Sequence, residues 1–334
     1  MENSGYYGQK LINNSSLSYI NPEEGGCPEK FWDYLNGTLQ NTESVAAITG
    51  SMVHQALLEP ENFAVIVLEK LSDNVKTVVD AVYRETIENG GATDLTLLGD
   101  EIVKQAGIIG YGTSWKRETL IRKVCDEGGS KYFDQLVAAS GKTVLTQDIY
   151  SKVMKLVSRI NTMGILTQKK ELDEMYEIEV LNEHEIYWEY VAKDGRTYKC
   201  KSKIDQLVLN HTLKTFSIKD IKTHKENIEY FPRIFTDRQI YRQIAFYELA
   251  VLYQYPDYTP EDHYIISCES EGYNRVRNFL VSRNFIELGK TKIEAIINRI
   301  GWHQVSNNWT CSQEEYDSNF TFLLDCPQDQ INFE

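Results

Sequence analysis

The sequence predicts an α/β protein: a mixed sheet flanked by helices, with a large, mainly helical N-terminal part. Three observations carry this expectation. Between residues 175 and 222, stretches of alternating apolar and polar residues (EIEVLNEHEIYWEYV, KIDQLVLN, TFSIKDIKT) are separated by turn residues. Over residues 1–165 the apolar spacing is mostly helical; Ile149, Val153, Leu156, Val157 and Ile160 fall on one helix face. Hydrophobic residues make up 42% of the 334, which is ample for a core.

Taken in order, PEKFWDYLN (28–36) reads as a short helix with Pro28 near its start. Residues 42–58 read as a helix carrying His54, and 75–88 and 116–139 as two more. Between those two, Asn89-Gly-Gly and Gly107-x-x-Gly110-x-Gly112 read as loop. Residues 146–161 form the next helix. The strands from 175 to 222 then make an antiparallel meander, with a hairpin turn at Asp194-Gly195. Asp237 is placed to cap a helix over 238–253. Residues 263–269 read as a strand and 274–300 as mainly helical. The expected organisation is a helical part over 1–165, a sheet-bearing core over 166–310 and an acidic tail over 311–334, packed as one unit.

Composition excludes several classes. No run of 18 apolar residues is present, so no membrane-spanning helix is expected. MENSGYYGQK lacks a basic segment followed by an apolar one, which points to the cytoplasm rather than secretion. The six cysteines, at 27, 125, 200, 268, 311 and 326, form no C-x-x-C pair, so a zinc ribbon is disfavoured. Net charge is −14, but residues 196–242 hold eleven Lys and Arg against five Asp and Glu. A basic stretch in an acidic chain fits a groove that accepts phosphates.

That stretch also carries the chemistry. Asp220 and Lys222 are two apart on one strand and face the same way. A hairpin can bring Asp205 to the same face. Burying two carboxylates and an ammonium together is costly without a purpose. Two acids can hold a divalent cation, and the Ile221 carbonyl is a plausible third oxygen. A lysine beside them can orient a water and stabilise charge building at phosphorus. Arg238, Arg242 and Lys225 are the nearest candidates for DNA phosphate contacts, with His224 beside them.

The order His54, Asp205, Asp220-x-Lys222 and Gln243-x-x-x-Tyr247 resembles the PD-(D/E)XK nucleases, closest to the exonuclease VIII (RecE-like) group of phage and prophage recombination exonucleases. Further stretches carry the likeness: Ser15–Ser18 followed by Pro28–Phe31, Gly50-x-x-x-His54-x-x-Leu57-Leu58-Glu59-Pro60, and Lys201–Asp205. The resemblance implies the PD-(D/E)XK core fold and metal ligands His54, Asp205 and Asp220 for Mg²⁺ or Mn²⁺. It implies an accessory acid on the first strand, Glu179 in preference to Glu177. Gln243 and Tyr247 would then contact the DNA backbone or hold Lys222. The implied activity is 5′-to-3′ digestion of one strand of linear duplex DNA, leaving a 3′ tail for a single-strand annealing protein, with a ring-shaped homo-oligomer giving processivity. Two other readings stay open: an endonuclease or Cas4-type repair nuclease on the same core, and a non-catalytic DNA-binding protein of this fold. No membrane partner is expected.

Overall fold

Alternating side chains and short turns make residues 178–224 fold back on themselves twice, and this meander organises the rest of the chain. The computed structural model describes residues 10–39, 45–63, 65–68, 71–88, 93–138, 143–167 and 176–321. In chain order it has helices α1 (Asn14–Ser18), α2 (Pro28–Asn36) and α3 (Val45–Leu58), then strand β1 (Val65–Leu68). Helices α4 (Asp73–Glu88), α5 (Gly99–Ile109), α6 (Arg117–Val124) and α7 (Ser130–Ala138) follow, then β2 (Thr143–Thr146) and α8 (Gln147–Met163). The meander is β3 (Ile178–Val191), β4 (Thr197–Asn210) and β5 (Thr215–His224). After it come α9 (Phe231–Asp237), α10 (Ile240–Gln254), β6 (Thr259–Pro260), β7 (His263–Glu269), β8 (Val276–Val281), α11 (Arg283–Ser306) and α12 (Gln313–Asp317).

The chain divides into two compact units, residues 1–50 with 159–334, and residues 51–158. The described residues among the first fifty pack with the sheet. The reason lies in their side chains and backbone. Leu17, Ile20 and Phe31 are buried in the sheet's own core. Ile12 pairs with Cys200, donating to Lys199 O and accepting from Lys201 N.

In the first unit the strands lie in the order β3-β4-β5-β7-β8, with β6 beside β5. The meander is antiparallel as expected, and β5 pairs with β7 in parallel, so the sheet is mixed. A parallel neighbour requires a crossover, and α10 supplies it. It packs across β3, β4 and β5, with α11 against it. Their shared core holds Ile204, Leu209, Phe216, Ile244, Phe246 and Ile293. Each such side chain contributes about 1.5–3 kcal/mol on leaving water. One buried acid ties these layers together. Glu248 of α10 accepts from His263 Nε2 at 2.9 Å, Arg283 Nη2 at 3.0 Å and Lys290 Nζ at 2.9 Å. Burial alone would push its carboxyl up, but those donors hold it well below the usual carboxylate range. His263 Nδ1 accepts from Ile218 N, so Nε2 carries the hydrogen and is the donor to Glu248.

Several elements differ from expectation. Residues 276–281 are an edge strand, not helix; the helix begins only after Ser282. Asp237 ends α9 rather than capping α10, and Gln239 between them is left-handed at φ +47°. Helix α5 runs into the glycine segment as far as Ile109 and stops at Gly110. The helix expected over 116–139 is broken at Glu127 and Gly128. Asn89-Gly-Gly and Cys326 lie outside the described residues.

The second unit is built on α4, α5, α6 and α7 around Val78, Val82, Ile102, Leu120, Val124 and Phe133. Strands β1 and β2 pair in parallel. Among the described residues no helix is long and apolar enough to cross a membrane.

Candidate active site

The site begins where β4 and β5 part. Their regular pairing runs from Asn210↔Thr215 to Gln206↔Lys219. At the next position the Asp205 carboxylate itself accepts the Ile221 N–H, at 2.6 Å. A side-chain oxygen thus stands where a strand carbonyl would, and holds the two strands open. On its other edge β5 stays paired, with Asp220 opposite Ile265 and Lys222 opposite Ser267. Asp205 and Asp220 are both buried. Lys222 lies on the same face as Asp220, its Nζ 2.7 Å from Oδ2, as the strand alternation requires.

Burial lowers the proton affinity of the Lys222 ammonium, but the Asp220 and Asp205 carboxylates outweigh it and raise the group above its ordinary value. Beside these carboxylates Lys222 is held as a cation and a hydrogen-bond donor.

The third acid is one the sequence reading passed over. In the β3–β4 ladder Asn182 pairs with Gln206 and His184 with Ile204, so Glu183 stands opposite Asp205. Its backbone is left-handed, φ +48°, inside an otherwise extended strand. A β-strand residue other than glycine in that region costs on the order of 1–3 kcal/mol. The side chain so placed has a carboxylate oxygen within 4.8 Å of one from Asp205 and pairs with Lys203 at 2.9 Å.

Glu179, the expected accessory acid, is elsewhere. It faces Leu209, four residues along the ladder, and its Oε2 is 3.0 Å from His211 Nε2. His211 in turn bonds Tyr258. Glu177 is exposed beyond it. A two-residue Asp194-Gly195 turn would place Glu183 opposite Gln206; the observed register centres on Asp194 alone, and that one-residue shift brings Glu183 opposite Asp205.

His54 is half-buried on α3, one turn beyond Gly50 and on the same helix face. A Cβ at Gly50 would lie 2.7 Å from Thr223 Oγ1, so glycine is what permits this approach to the end of β5.

On α10, Gln243 Nε2 donates to the Tyr247 hydroxyl at 2.6 Å. Arg242 is not a surface cation. It is 1% exposed and holds the N-terminal segment through Asn14 Oδ1 at 3.0 Å, Ser18 Oγ at 2.8 Å and a close pair with Glu24. Arg238 is exposed and paired with Glu226 at 3.0 Å; Lys225 is exposed. His224 is buried, bonded to Ser267 and stacked on Phe231. Much of the basic excess of residues 196–242 is thus engaged within the fold.

The carboxylate oxygens gathered from adjacent strands suit a hard divalent cation. Among the described residues, no group of close potential ligands contains cysteine.

No family model matches the sequence, and no curated protein matches it. Among solved structures, the chain is similar to a crystal structure of a "putative exonuclease" from Eubacterium rectale. The TM-score is 0.51 at 13% identity, over 98% of this chain and 95% of that one. At that identity the likeness is one of fold.

Proposed function

We propose that the protein is a metal-dependent DNA nuclease of the PD-(D/E)XK type that hydrolyses phosphodiester bonds from the ends of linear duplex DNA. One observation carries this reading: Asp205, Asp220, Glu183 and Lys222 converge where two strands are held apart. The fold likeness to a structure described as an exonuclease agrees with it.

On this reading Asp205 and Glu183 hold Mg²⁺ or Mn²⁺, Asp220 completes the oxygen set, and His54 is the nitrogen donor that the resemblance in sequence implies. Such an ion, when bound, offsets charge on the phosphoryl oxygens and acidifies a water. The Lys222 ammonium orients the attacking water and stabilises the charge that develops on the phosphoryl oxygens. Gln243 and Tyr247, locked to each other, brace the helix behind the site. Digestion proceeds 5′ to 3′ and leaves a 3′ tail suited to an annealing partner.

The test is incubation with Mg²⁺ of linear duplex labelled at the 5′ or the 3′ end, beside closed circular DNA. The proposal expects small products from the linear substrate, 5′ label released first, and intact circles. Rapid loss of circles would mean endonuclease action on the same core. Absence of hydrolysis from both substrates at stoichiometric protein would refute a nuclease.

A further inference from the structure

The second unit has a displayed surface that the catalytic reading does not use. Tyr111-Gly-Thr-Ser-Trp115-Lys116 is a loop leading into α6, and residues 116–123 hold four Lys and Arg against one acid in a chain of net charge −14. Lys116, Arg117, Arg122 and Lys123 are all exposed. Lys116 and Lys123 are seven apart, two turns along one side of the helix.

The loop is built to hold one aromatic ring. Trp115 N donates to Gly112 O at 2.9 Å, and Tyr111 meets the indole edge-on at 5.3 Å. Gly112 has φ +63°, and a Cβ there would lie 2.7 Å from the indole and 2.8 Å from Leu120. Only glycine lets the ring sit so close. Trp115 nevertheless remains 36% exposed, and Lys123 Nζ lies 4.5 Å from its centroid. Arg117 is paired with Asp100, and Lys123 is 3.7 Å from Glu127.

We infer that this surface binds an unpaired DNA strand, with Trp115 stacking on a base and Lys116, Arg122 and Lys123 contacting phosphates. The occupant follows from chemistry. Clustered cations in an acidic protein call for a polyanion. A half-exposed indole beside them adds a stacking platform, which needs a base free of its partner. The Lys123 ammonium covers the ring in the free protein; an arriving phosphate draws it aside and a base takes its place.

The inference rests on the nuclease reading for the identity of the polymer, so the test separates the two. Binding of a fluorescent 20-nucleotide single strand, and of a blunt duplex of the same sequence, is measured in Ca²⁺ over a salt series. The proteins are wild type, Trp115→Ala and Lys116→Glu/Arg122→Glu. Each protein is also assayed with Mg²⁺ on bis(p-nitrophenyl) phosphate, a diester with a single phosphate and no nucleobase. The inference expects the double variant to weaken single-strand binding at least tenfold with a shallower salt slope. Trp115→Ala should weaken it about fivefold or more and the duplex less, with hydrolysis of the small ester unchanged in both. Unchanged single-strand affinity and slope in both variants would overturn it, as would no binding by wild type. Absence of ester hydrolysis by wild type, with single-strand binding as expected, would instead count against the catalytic assignment.

Discussion

At the scale of single residues, Glu183 separates this account from one built on motifs alone. A glutamate held at positive φ directly across from a buried aspartate is a strained residue at a cluster of charge, and such strain persists only where neighbours over-determine it. Glu183→Gln is expected to lower metal-dependent hydrolysis by about 10²-fold or more, while Glu179→Gln stays near wild type, because Glu179 binds His211 instead. Parallel rate measurements over a Mn²⁺ titration check this; equal losses in the two would return the accessory role to the first position. Lys222→Met is expected to cost on the order of 10²-fold in kcat with KM little changed, since its work is on the transition state. A change confined to KM would make Lys222 a substrate-binding cation. Asp205, Asp220 and Lys222 were legible in the sequence because strand alternation fixes which side chains share a face. Glu183 was not, because a left-handed residue inside a strand leaves no trace in the alternation, and register has to be counted from the turn.

At the scale of elements, the buried polar side chains of α10 hold layers together. Arg242 shows why burial is hard to read from one segment: its partners, Asn14, Ser18 and Glu24, lie more than 200 positions away in the chain. Arg242→Met leaves Glu24 without its cation and is expected to cost about 3–5 kcal/mol, a fall in Tm on the order of 10 °C. The DNA salt slope should not change, and a shallower slope would return Arg242 to the phosphate contacts. Glu248 gives a pH signature. Its folded-state carboxyl lies below the ordinary value, so its stabilisation is complete above about pH 4.3 and is lost as pH falls from there toward the folded value. Glu248→Gln should lower Tm at pH 7 and flatten the fall of Tm below pH 4.3; an unaltered acid limb would show that other carboxylates dominate it. The element pattern itself was legible where periodicity ran long, as in the meander and α8. It failed at β8, where six residues without apolar–polar alternation precede a long helix, and at the break after Asp237, where a left-handed Gln239 redirects the chain.

At the scale of the whole molecule, the acidic total and the basic stretch of residues 196–242 suggested a groove of free cations around the site. The fold instead uses Lys203, Lys222, Arg238 and Arg242 in pairs with Glu183, Asp220, Glu226 and Glu24. Composition counts charges and cannot say which are already neutralised. The central claim is that the opened end of β4 and β5 is a phosphodiester-hydrolysing centre that works with a divalent ion. Single-turnover cleavage of end-labelled linear duplex, by wild type and by Asp220→Asn, with Mg²⁺ or with EDTA, tests it most directly. The account predicts cleavage by wild type in Mg²⁺, none in EDTA, and a rate at least 10³-fold lower for Asp220→Asn with the protein still folded. Equal rates for the two proteins, or cleavage that persists in EDTA, would contradict it.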